Sequence, residues 1–318
     1  MKRLLPAVIL GFISVCGYAQ DYPSRAVSIT VPNPPGGMNQ IHALPLSTVL
    51  EKLTSQPAPV INRPGGTAAI GTAYVANQTP DGYNLLITTP NLYLVIEKDK
   101  LYGIKSPFSL DQIAPVALLS ADPLTMVVTP SLPAKNVKEL VALSKSRPNE
   151  MIFSSSGPYG ITHTPMAMFM DAAKLKMRHL PTTGGGPAIT QVLGGHAQVT
   201  ASGPAAVYPH VKAGKLRALA HWGVKPHPAL PGVKPLKDLG FDVEAYLWVG
   251  VFTTAGAPDA VMTKVRDTIR KAAADPLFVQ SLEKSHIVPD YRDAPDFKKF
   301  FDADYIRMAA VIKKMGKI

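Results

Sequence analysis

A strand that runs into a Pro- and Gly-rich loop and then into a helix is the feature that most constrains this fold. Its first copy is the β-branched segment 28–31, the loop 32–37 and helical spacing of leucines across 41–53. The loop holds Pro34-Pro35-Gly36-Gly37, in which prolines fix φ and glycines let backbone N–H groups approach a ligand. A helix start gathers unpaired donors and the positive dipole end, so this loop favours an anion.

The same unit recurs along the chain, with short Gly/Pro turns between apolar strands and amphipathic helices. This alternation predicts α/β architecture with largely parallel sheets, in which ligands lie beyond the carboxyl ends of strands. Loops suited to anion binding in both halves of the chain indicate a protein that captures a solute more than they indicate an enzyme active site. The predicted strands are 26–31, 59–62, 85–88, 124–129, 151–155, 177–180, 197–201, 216–220 and 247–253. The predicted helices are 41–53, 70–76, 137–146, 162–173, 186–193, 204–213, 259–274, 276–284 and 295–314, with Pro45 either kinking the first or marking a late start.

The length of the chain predicts two domains of ordinary size. Segments 124–129 and 247–253 are long strand candidates that would carry the chain between two lobes and back. We therefore expect lobe 1 to comprise 20–123 and 249–318, and lobe 2 to comprise 124–248. The three C-terminal helices then belong to lobe 1.

The N-terminus has the pattern of an export signal, predicted over residues 1–19. A basic start, an apolar run over 4–15 and small residues before Gln20 match a cleaved peptide and are too short for a membrane span. We therefore expect the mature chain in the periplasm. The only cysteine, Cys16, falls inside the signal, which excludes disulfides, thiolate metal sites and a cysteine nucleophile from the mature chain. Lipidation of Cys16 is the alternative, but Val15 is bulky where a small residue is wanted.

The formal net charge of +11 raises nucleic acid as a partner. The lysines, however, are scattered over presumed helix faces and the C-terminal region, and no basic run is interleaved with aromatics. Together with export, this pattern argues against a nucleic-acid partner and for a solvated basic surface that draws anionic solutes closer.

Four further loops follow predicted strands and carry small polar residues. Residues 155–157 lead into Thr162 and His163, and their hydroxyls supply donors without bulk for carboxylate oxygens. Residues 182–187 include three consecutive glycines, which favours close approach of the backbone to a ligand. Residues 88–91 and 202–204 repeat the pattern. A serine-rich turn that caps a helix and a flexible glycine connector remain the alternatives for the first two.

The sequence gives little support for a catalytic site or a metal-binding site. His163 near Ser155 and Ser156 would suit a hydrolase, but the chain has no G-x-S-x-G and no identifiable partner acid. Local hydrogen bonding at a helix start is the alternative role for His163. The histidines lack H-E-x-x-H or H-x-x-x-H spacing, so we predict no metal, no cofactor and no enzymatic activity.

Several motifs, taken in order, resemble one family. They are Tyr22-Pro23-Ser24-Arg25, Pro34-Pro35-Gly36-Gly37, Asn62-Arg63-Pro64-Gly65, Pro80-Asp81-Gly82-Tyr83, Gly194-Gly195, the run from Pro209 to Ala220, and Pro228-Ala229-Leu230-Pro231. Over the whole mature chain, the sequence resembles the periplasmic solute-binding proteins of tripartite tricarboxylate transporters, the Bug family.

The resemblance implies a type II periplasmic-binding-protein-like fold, with two lobes that are each a mostly parallel sheet flanked by helices. A small carboxylate would bind in the cleft, and the partners would be integral membrane transporter subunits, with a monomeric receptor. A solute sensor that reports to a membrane signalling protein such as a sensor kinase is an alternative that the sequence does not separate. The ligand-binding residues implied by position are Gly36, Gly37, Met38, Asn39, Gln40, Thr88, Thr89, Asn91, Ser155, Ser156, Gly157, Thr162, His163, Thr182, Gly184, Gly185, Gly186, Pro187 and Ser202.

The chain departs from the family pattern at positions that bear on specificity. Where this chain has Gln40 and Leu44, the family usually has an aspartate and an arginine. The family usually has Tyr-Lys-Gly at the positions of 182–184, and an acidic residue where this chain has Ser202 or Ala167. Loss of the acids removes a partner for a ligand's ammonium group, and loss of the tyrosine leaves room for bulk. We therefore expect a carboxylate without an amine, with an aromatic acid among the candidates.

Overall fold

The computed structural model describes residues 22–318, so the predicted export signal and Cys16 lie outside the described part. Within that part, two β-sheets form two lobes, each covered by helices. None of its helices combines the length and apolar character needed to cross a membrane. The two-lobed α/β architecture expected from the alternating pattern is therefore confirmed.

The sheet of lobe 1 has six strands in the order β11-β4-β10-β3-β1-β2. β1, β2 and β3 pair in parallel, whereas β10 runs antiparallel to β3 and β4, and β11 antiparallel to β4. Its strands are β1 Ser28–Val31, β2 Val60–Asn62, β3 Asn84–Thr88, β4 Ile113–Pro123, β10 Tyr246–Thr254 and β11 Pro289–Asp293.

The sheet of lobe 2 has five strands in the order β7-β6-β8-β5-β9. β6 pairs in parallel with β7 and β8, whereas β5 runs antiparallel to β8 and β9. Its strands are β5 Thr125–Val128, β6 Ile152–Ser155, β7 Arg178–Pro181, β8 Val199–Ser202 and β9 Arg217–His221. Both sheets are thus mixed, and the expected parallel pairing holds only for strands joined by helical crossovers.

The strands that connect the lobes explain the antiparallel pairs. β4 leaves lobe 1 at Pro123 and continues through Leu124 into β5 of lobe 2, while β10 returns beside β4 in the opposite direction. The expected single strand over 124–129 is therefore the short β5, and β4, which the sequence pattern did not reveal, is the long outgoing strand.

The helices follow the strands in alternation. Helix α1 begins at Met38, so Pro45 lies inside it rather than marking a late start. α8 and α10 pack against β4, and α9 packs against β11, so the three C-terminal helices cover strands of the lobe 1 sheet. The helices are α1 Met38–Thr54, α2 Ala69–Ala76, α3 Asn91–Tyr102, α4 Val137–Ser146, α5 Thr164–Ala173, α6 Gly185–Leu193, α7 Pro204–Lys212, α8 Asp259–Ala274, α9 Pro276–Lys284 and α10 Ala294–Met315.

A buried carboxylate fixes α10 to lobe 1. Asp304 accepts hydrogen bonds from the Tyr93 hydroxyl at 2.5 Å and from Trp248 Nε1 at 2.8 Å. Arg307, one turn along α10, pairs with the same carboxylate. Since a buried carboxylate is tolerated only when paired and hydrogen-bonded, these contacts specify where the helix docks.

Candidate functional site

A cleft between the two lobes collects loops that follow strands and open helices. Its lining includes residues from the loops that follow β1, β3, β6, β7 and β8 and from one crossing strand, as the switch-point rule for α/β sheets predicts. The lining residues are Asn33, Pro34, Pro35, Gly36, Gly37, Met38, Asn39, Thr89, Asn91, Ser156, Ile161, Thr162, Gly184, Gly185, Gly186, Pro187, Ser202, Ala206 and Leu247.

The start of α1 supplies the donors of lobe 1. Gly37 caps the helix in extended conformation without a side-chain cap, so the N–H groups of Met38 and Asn39 have no intrahelical acceptor. Gln40 turns back instead, and its Oε1 accepts from Gly36 N at 2.6 Å. Gln40 therefore shapes the loop from outside the lining.

The start of α1 is held from behind by His42. Its Nδ1 lies 2.8 Å from Met38 O and its Nε2 lies 2.8 Å from Ser120 Oγ on β4. Burial lowers the pKa of His42 to about 4, so the ring is neutral and bonds at both nitrogens. His42 is a positioning residue that the sequence did not reveal, because its partner Ser120 is 78 positions away.

The loop between β3 and α3 adds a hydroxyl and an amide. Thr89 is buried in the lining, and its Oγ1 has no hydrogen-bond partner among the described residues. Asn91 Oδ1 accepts from the backbone N–H of Ile161 in lobe 2 at 2.8 Å. Asn91 thus joins the lobes across the cleft, while Thr89 remains available to a ligand.

The glycine run of lobe 2 opens α6 toward the cleft. Gly184 caps α6 without a side-chain cap, which leaves the N–H groups of Gly185 and Gly186 without an intrahelical acceptor. Thr182, outside the lining, places its Oγ1 2.8 Å from both Ser155 O and Gly184 O. It therefore shapes the loop that presents the glycines.

Two further hydroxyls of lobe 2 complete the donor set. Thr162 Oγ1 donates to Ser156 Oγ at 2.9 Å and accepts from Ser156 N at 2.7 Å. Because Ser156 Oγ accepts in that bond, its own proton is free to donate elsewhere. Ser202 precedes α7, whose first turn reaches the lining through Ala206.

The electrostatics of the cleft come from the backbone. Helices α1, α3, α6 and α7 all begin at the lining, and none has an acidic residue in its first turn. Each helix start carries about half a positive charge. The described lining contains no Lys, Arg, His, Asp or Glu, so this arrangement suits a small anion and offers no counter-charge to a cation.

Six residues expected at the ligand lie outside the lining. Alternation along β3 turns the Thr88 side chain away from the face that Thr89 presents. Gly157 lies where the lobes touch, because a Cβ there would stand 3.1 Å from Thr67 Oγ1 of lobe 1. The six residues are Gln40, Thr88, Ser155, Gly157, His163 and Thr182.

Ser155 and His163 belong to a buried stack behind the cleft loop. The His163 and His179 rings are stacked 4.0 Å apart, and Phe153 stacks on His179 at 4.8 Å. His163 Nδ1 accepts from Tyr159 N at 2.9 Å, and His179 Nε2 lies 2.6 Å from Ser155 Oγ. Burial, aided by His179, lowers the pKa of His163 to about 3, and burial lowers that of His179 to about 4.

This stack is structural in its geometry. Ser155 is fully buried and outside the lining, and no carboxylate within residues 22–318 bonds to His179. In the same part of the chain, no three His, Cys, Asp or Glu side chains are grouped to hold a metal. Lining residues that the sequence did not predict to bind the ligand are Asn33, Pro34, Pro35, Ile161, Ala206 and Leu247. The two prolines were visible in their motif, whereas Ile161, Ala206 and Leu247 are apolar residues without a distinguishing signal.

The lobes touch each other at the rim as well as in the cleft. The Tyr159 hydroxyl of lobe 2 donates to Gly316 O at 2.8 Å and accepts from Ile318 N at 3.0 Å in the C-terminal segment. Lys314 of α10 pairs with Asp171 of α5 at 2.7 Å. Together with the Asn91 bond, these contacts define a closed arrangement of the lobes.

Comparison with known proteins places the chain in a family. Residues 45–317 match the tripartite tricarboxylate transporter family receptor, TctC. BugT of Bordetella pertussis is 30% identical, covering 99% of this chain and 98% of that protein. Among solved structures, R. palustris Rpa4515 with adipate (23% identity, TM-score 0.85) covers 92% of this chain and 98% of that one. MatC of Rhodopseudomonas palustris with bound malate (20% identity, TM-score 0.83) covers 92% and 100%. The chain therefore belongs to the tripartite tricarboxylate transporter receptors, periplasmic solute-binding proteins of the Bug type.

Proposed function

We propose that this protein captures a small organic carboxylate without an amine and delivers it to the membrane subunits of a tripartite tricarboxylate-type transporter. One observation carries the proposal: four helix starts from both lobes meet in a cleft whose described lining holds no charged side chain. Unpaired N–H groups and hydroxyls are donors, and donors suit carboxylate oxygens.

The same observation argues against amino acids. An ammonium group buried among positive helix ends needs a carboxylate nearby, since an unpaired buried charge is strongly destabilising. No Asp or Glu of residues 22–318 lines the cleft. The two R. palustris relatives with bound ligands hold adipate and malate, which are acids without an amine.

Closure of the lobes is the mechanical part of the proposal. A ligand that touches α1 of lobe 1 and α6 of lobe 2 makes its full set of contacts only when the cleft is shut. It therefore shifts an open–closed equilibrium toward the closed arrangement. The closed shape is then what the membrane subunits recognise.

The ligand-contacting residues in this proposal come from both lobes. Asn91 and Gly157 join the lobes, Gln40, Ser155, His163 and Thr182 support the loops, and Thr88 lies outside the lining. The mature protein acts as a periplasmic monomer after removal of residues 1–19. The contacting residues are Gly36, Gly37, Met38, Asn39, Thr89, Ser156, Thr162, Gly184, Gly185, Gly186, Pro187 and Ser202.

A calorimetric panel tests the proposal. The purified mature protein is titrated with mono-, di- and tricarboxylates, aromatic acids included, and with the matched pair succinate and aspartate. We expect at least one amine-free acid to bind, succinate to bind more tightly than aspartate if either binds, and NMR to show the bound acid unchanged. The proposal would be contradicted if no acid bound, if aspartate bound more tightly than succinate, or if the protein converted a bound acid into a product.

A further inference from the structure

Two buried polar atoms of the cleft have no partner within the described chain. They are Asn39 Oδ1, in a residue that is 2% exposed, and Thr89 Oγ1, in a residue that is 5% exposed. Both residues line the cleft. Buried polar atoms are almost always hydrogen-bonded in folded proteins, and because these two residues line the cleft, both atoms can form hydrogen bonds with polar groups of a bound ligand.

The hydrogen bonds of Asn39 decide which kind of group it needs. Asn39 Nδ2 donates to Asn33 Oδ1 at 2.6 Å, and Asn62 Nδ2 holds the backbone of Asn33 through Asn33 O at 2.9 Å. One N–H of the Asn39 amide nitrogen is therefore used within the fold, and the unpartnered buried atom Oδ1 is an acceptor. A carboxylate has only acceptors, so it does not satisfy Asn39 Oδ1. Thr89 is less selective, because a hydroxyl both donates and accepts.

The donor that reaches Asn39 is neutral. An ammonium group is disfavoured because the described lining offers no acidic side chain and four helix starts bring positive potential. A hydroxyl donates a hydrogen bond without adding charge. Asn39 lies in the first turn of α1, whose N–H groups would take the carboxylate, so the hydroxyl sits close to the carboxylate in the ligand.

We infer that the ligand is a hydroxy acid, with its hydroxyl donating to Asn39 Oδ1 while its carboxylate binds the start of α1. This inference rests on the proposed function and narrows its class of ligand. It makes Asn39 the residue that separates a hydroxy acid from the acid that lacks the hydroxyl.

Matched acids test the inference in the full mature protein. Calorimetry compares malate with succinate, lactate with propionate, 3-hydroxybutyrate with butyrate, and mandelate with phenylacetate. We expect the hydroxy member of the best-binding pair to bind roughly 10- to 100-fold more tightly, since the other member leaves a buried acceptor unpaired. In Asn39→Leu, the ratio of the two dissociation constants should fall to about one, because the acceptor that distinguishes the hydroxy acid is gone.

The outcomes separate the two proposals. If no acid of the calorimetric panel and no member of any pair binds, the proposed function is wrong. If both members bind equally, or the acid without the hydroxyl binds more tightly, the carboxylate function stands and the hydroxy-acid inference is wrong. If Asn39→Leu keeps the preference, Asn39 is not the acceptor and the inference is again wrong. The wild-type comparison decides the matter even if Asn39→Leu does not fold.

Discussion

Gly185 at the start of α6 offers a sharp test of the cleft, because a side chain there would enter the ligand space without disturbing the fold. An ideal Cβ at Gly185 has Ser202 Oγ at 3.9 Å as its nearest neighbour, which is an ordinary contact distance. The backbone of Gly185 lies outside the left-handed region. Gly185→Leu should therefore fold, and the loss of glycine's freedom in the unfolded chain should add about 0.4–1 kcal/mol of stability.

The expected effect on binding follows from linkage. A ligand at a thousand times its Kd stabilises the native protein by about 4 kcal/mol. At about 2–4 °C per kcal/mol for a large domain, the wild-type Tm should rise by roughly 8–16 °C. If the leucine weakens binding 100-fold, the same ligand concentration is about ten times Kd, and the stabilisation falls to about 1.4 kcal/mol, or roughly 3–6 °C.

A thermal-shift assay with a confirmed ligand makes this comparison. Gly232→Leu is the matched control, since Gly232 is exposed, lies away from the cleft lining and has nothing within 4 Å of an ideal Cβ. The control should keep the full ligand-induced shift. If Gly185→Leu folds, with a ligand-free Tm no lower than that of the wild type, and also keeps the full ligand-induced shift, α6 does not take part in binding.

Three more predictions follow from individual contacts. Thr89→Val should weaken ligand binding about 2- to 12-fold by calorimetry, because it removes a hydroxyl of the lining. The matched control Thr88→Val removes a buried unpartnered hydroxyl outside the lining and should leave the Kd unchanged. If Thr88→Val weakens binding and Thr89→Val does not, the ligand-facing side chain of this segment has been wrongly assigned. Tyr159→Phe should weaken ligand binding by a similar factor, because it removes hydrogen bonds of the hydroxyl between the lobes. It should also enlarge the radius of gyration of the ligand-bound protein in small-angle scattering. An unchanged Kd and an unchanged radius would mean that these bonds do not stabilise the closed arrangement. Burial lowers the pKa of His42 to about 4 and that of His163 to about 3, so their stabilising effect is complete above pH 6.5 and is lost as the pH falls from 6.5 toward those values. At pH 5 each should have lost about 2 kcal/mol of unfolding free energy, and in urea titrations His163→Gln should lower the pH 7.5 to pH 5 difference by that amount; an unaltered difference would contradict the assignment.

Local chemistry made much of this fold predictable. The predicted bounds of helices 137–146, 259–274 and 276–284 match the observed ones, and those of most other elements agree within about two residues, because caps, prolines and apolar spacing act over a few residues. The glycine loops at the starts of α1 and α6 were visible for the same reason.

The structural features that the sequence analysis did not predict depend on contacts between distant residues or on ambiguous sequence patterns. β4 is buried on both faces and interrupted by Pro115, so it lacks the alternation that marks a strand. Helix α3 has buried residues on nearly every side of its first two turns, which hides the usual helical spacing. The positioning of α1 by His42 and Ser120, and the stack of His163 on His179, arise only when separate strands come together.

Loop geometry also divided the expected ligand residues into two sets. Ser156 and Gly185 line the cleft, whereas the side chains of Gln40 and Thr182 form hydrogen bonds with the backbone of the loops. Residue type alone does not distinguish these roles, because a threonine or glutamine that shapes a loop and one that meets a ligand use the same groups.

A crystal structure of the mature protein with a bound acid tests the central claim most directly. We predict carboxylate oxygens within hydrogen-bonding distance of the backbone N–H groups of Met38 or Asn39 on one side and of Gly185 or Gly186 on the other, with the lobes closed. A carboxylate held instead by a lysine or arginine side chain, or by one lobe alone, would contradict the claim.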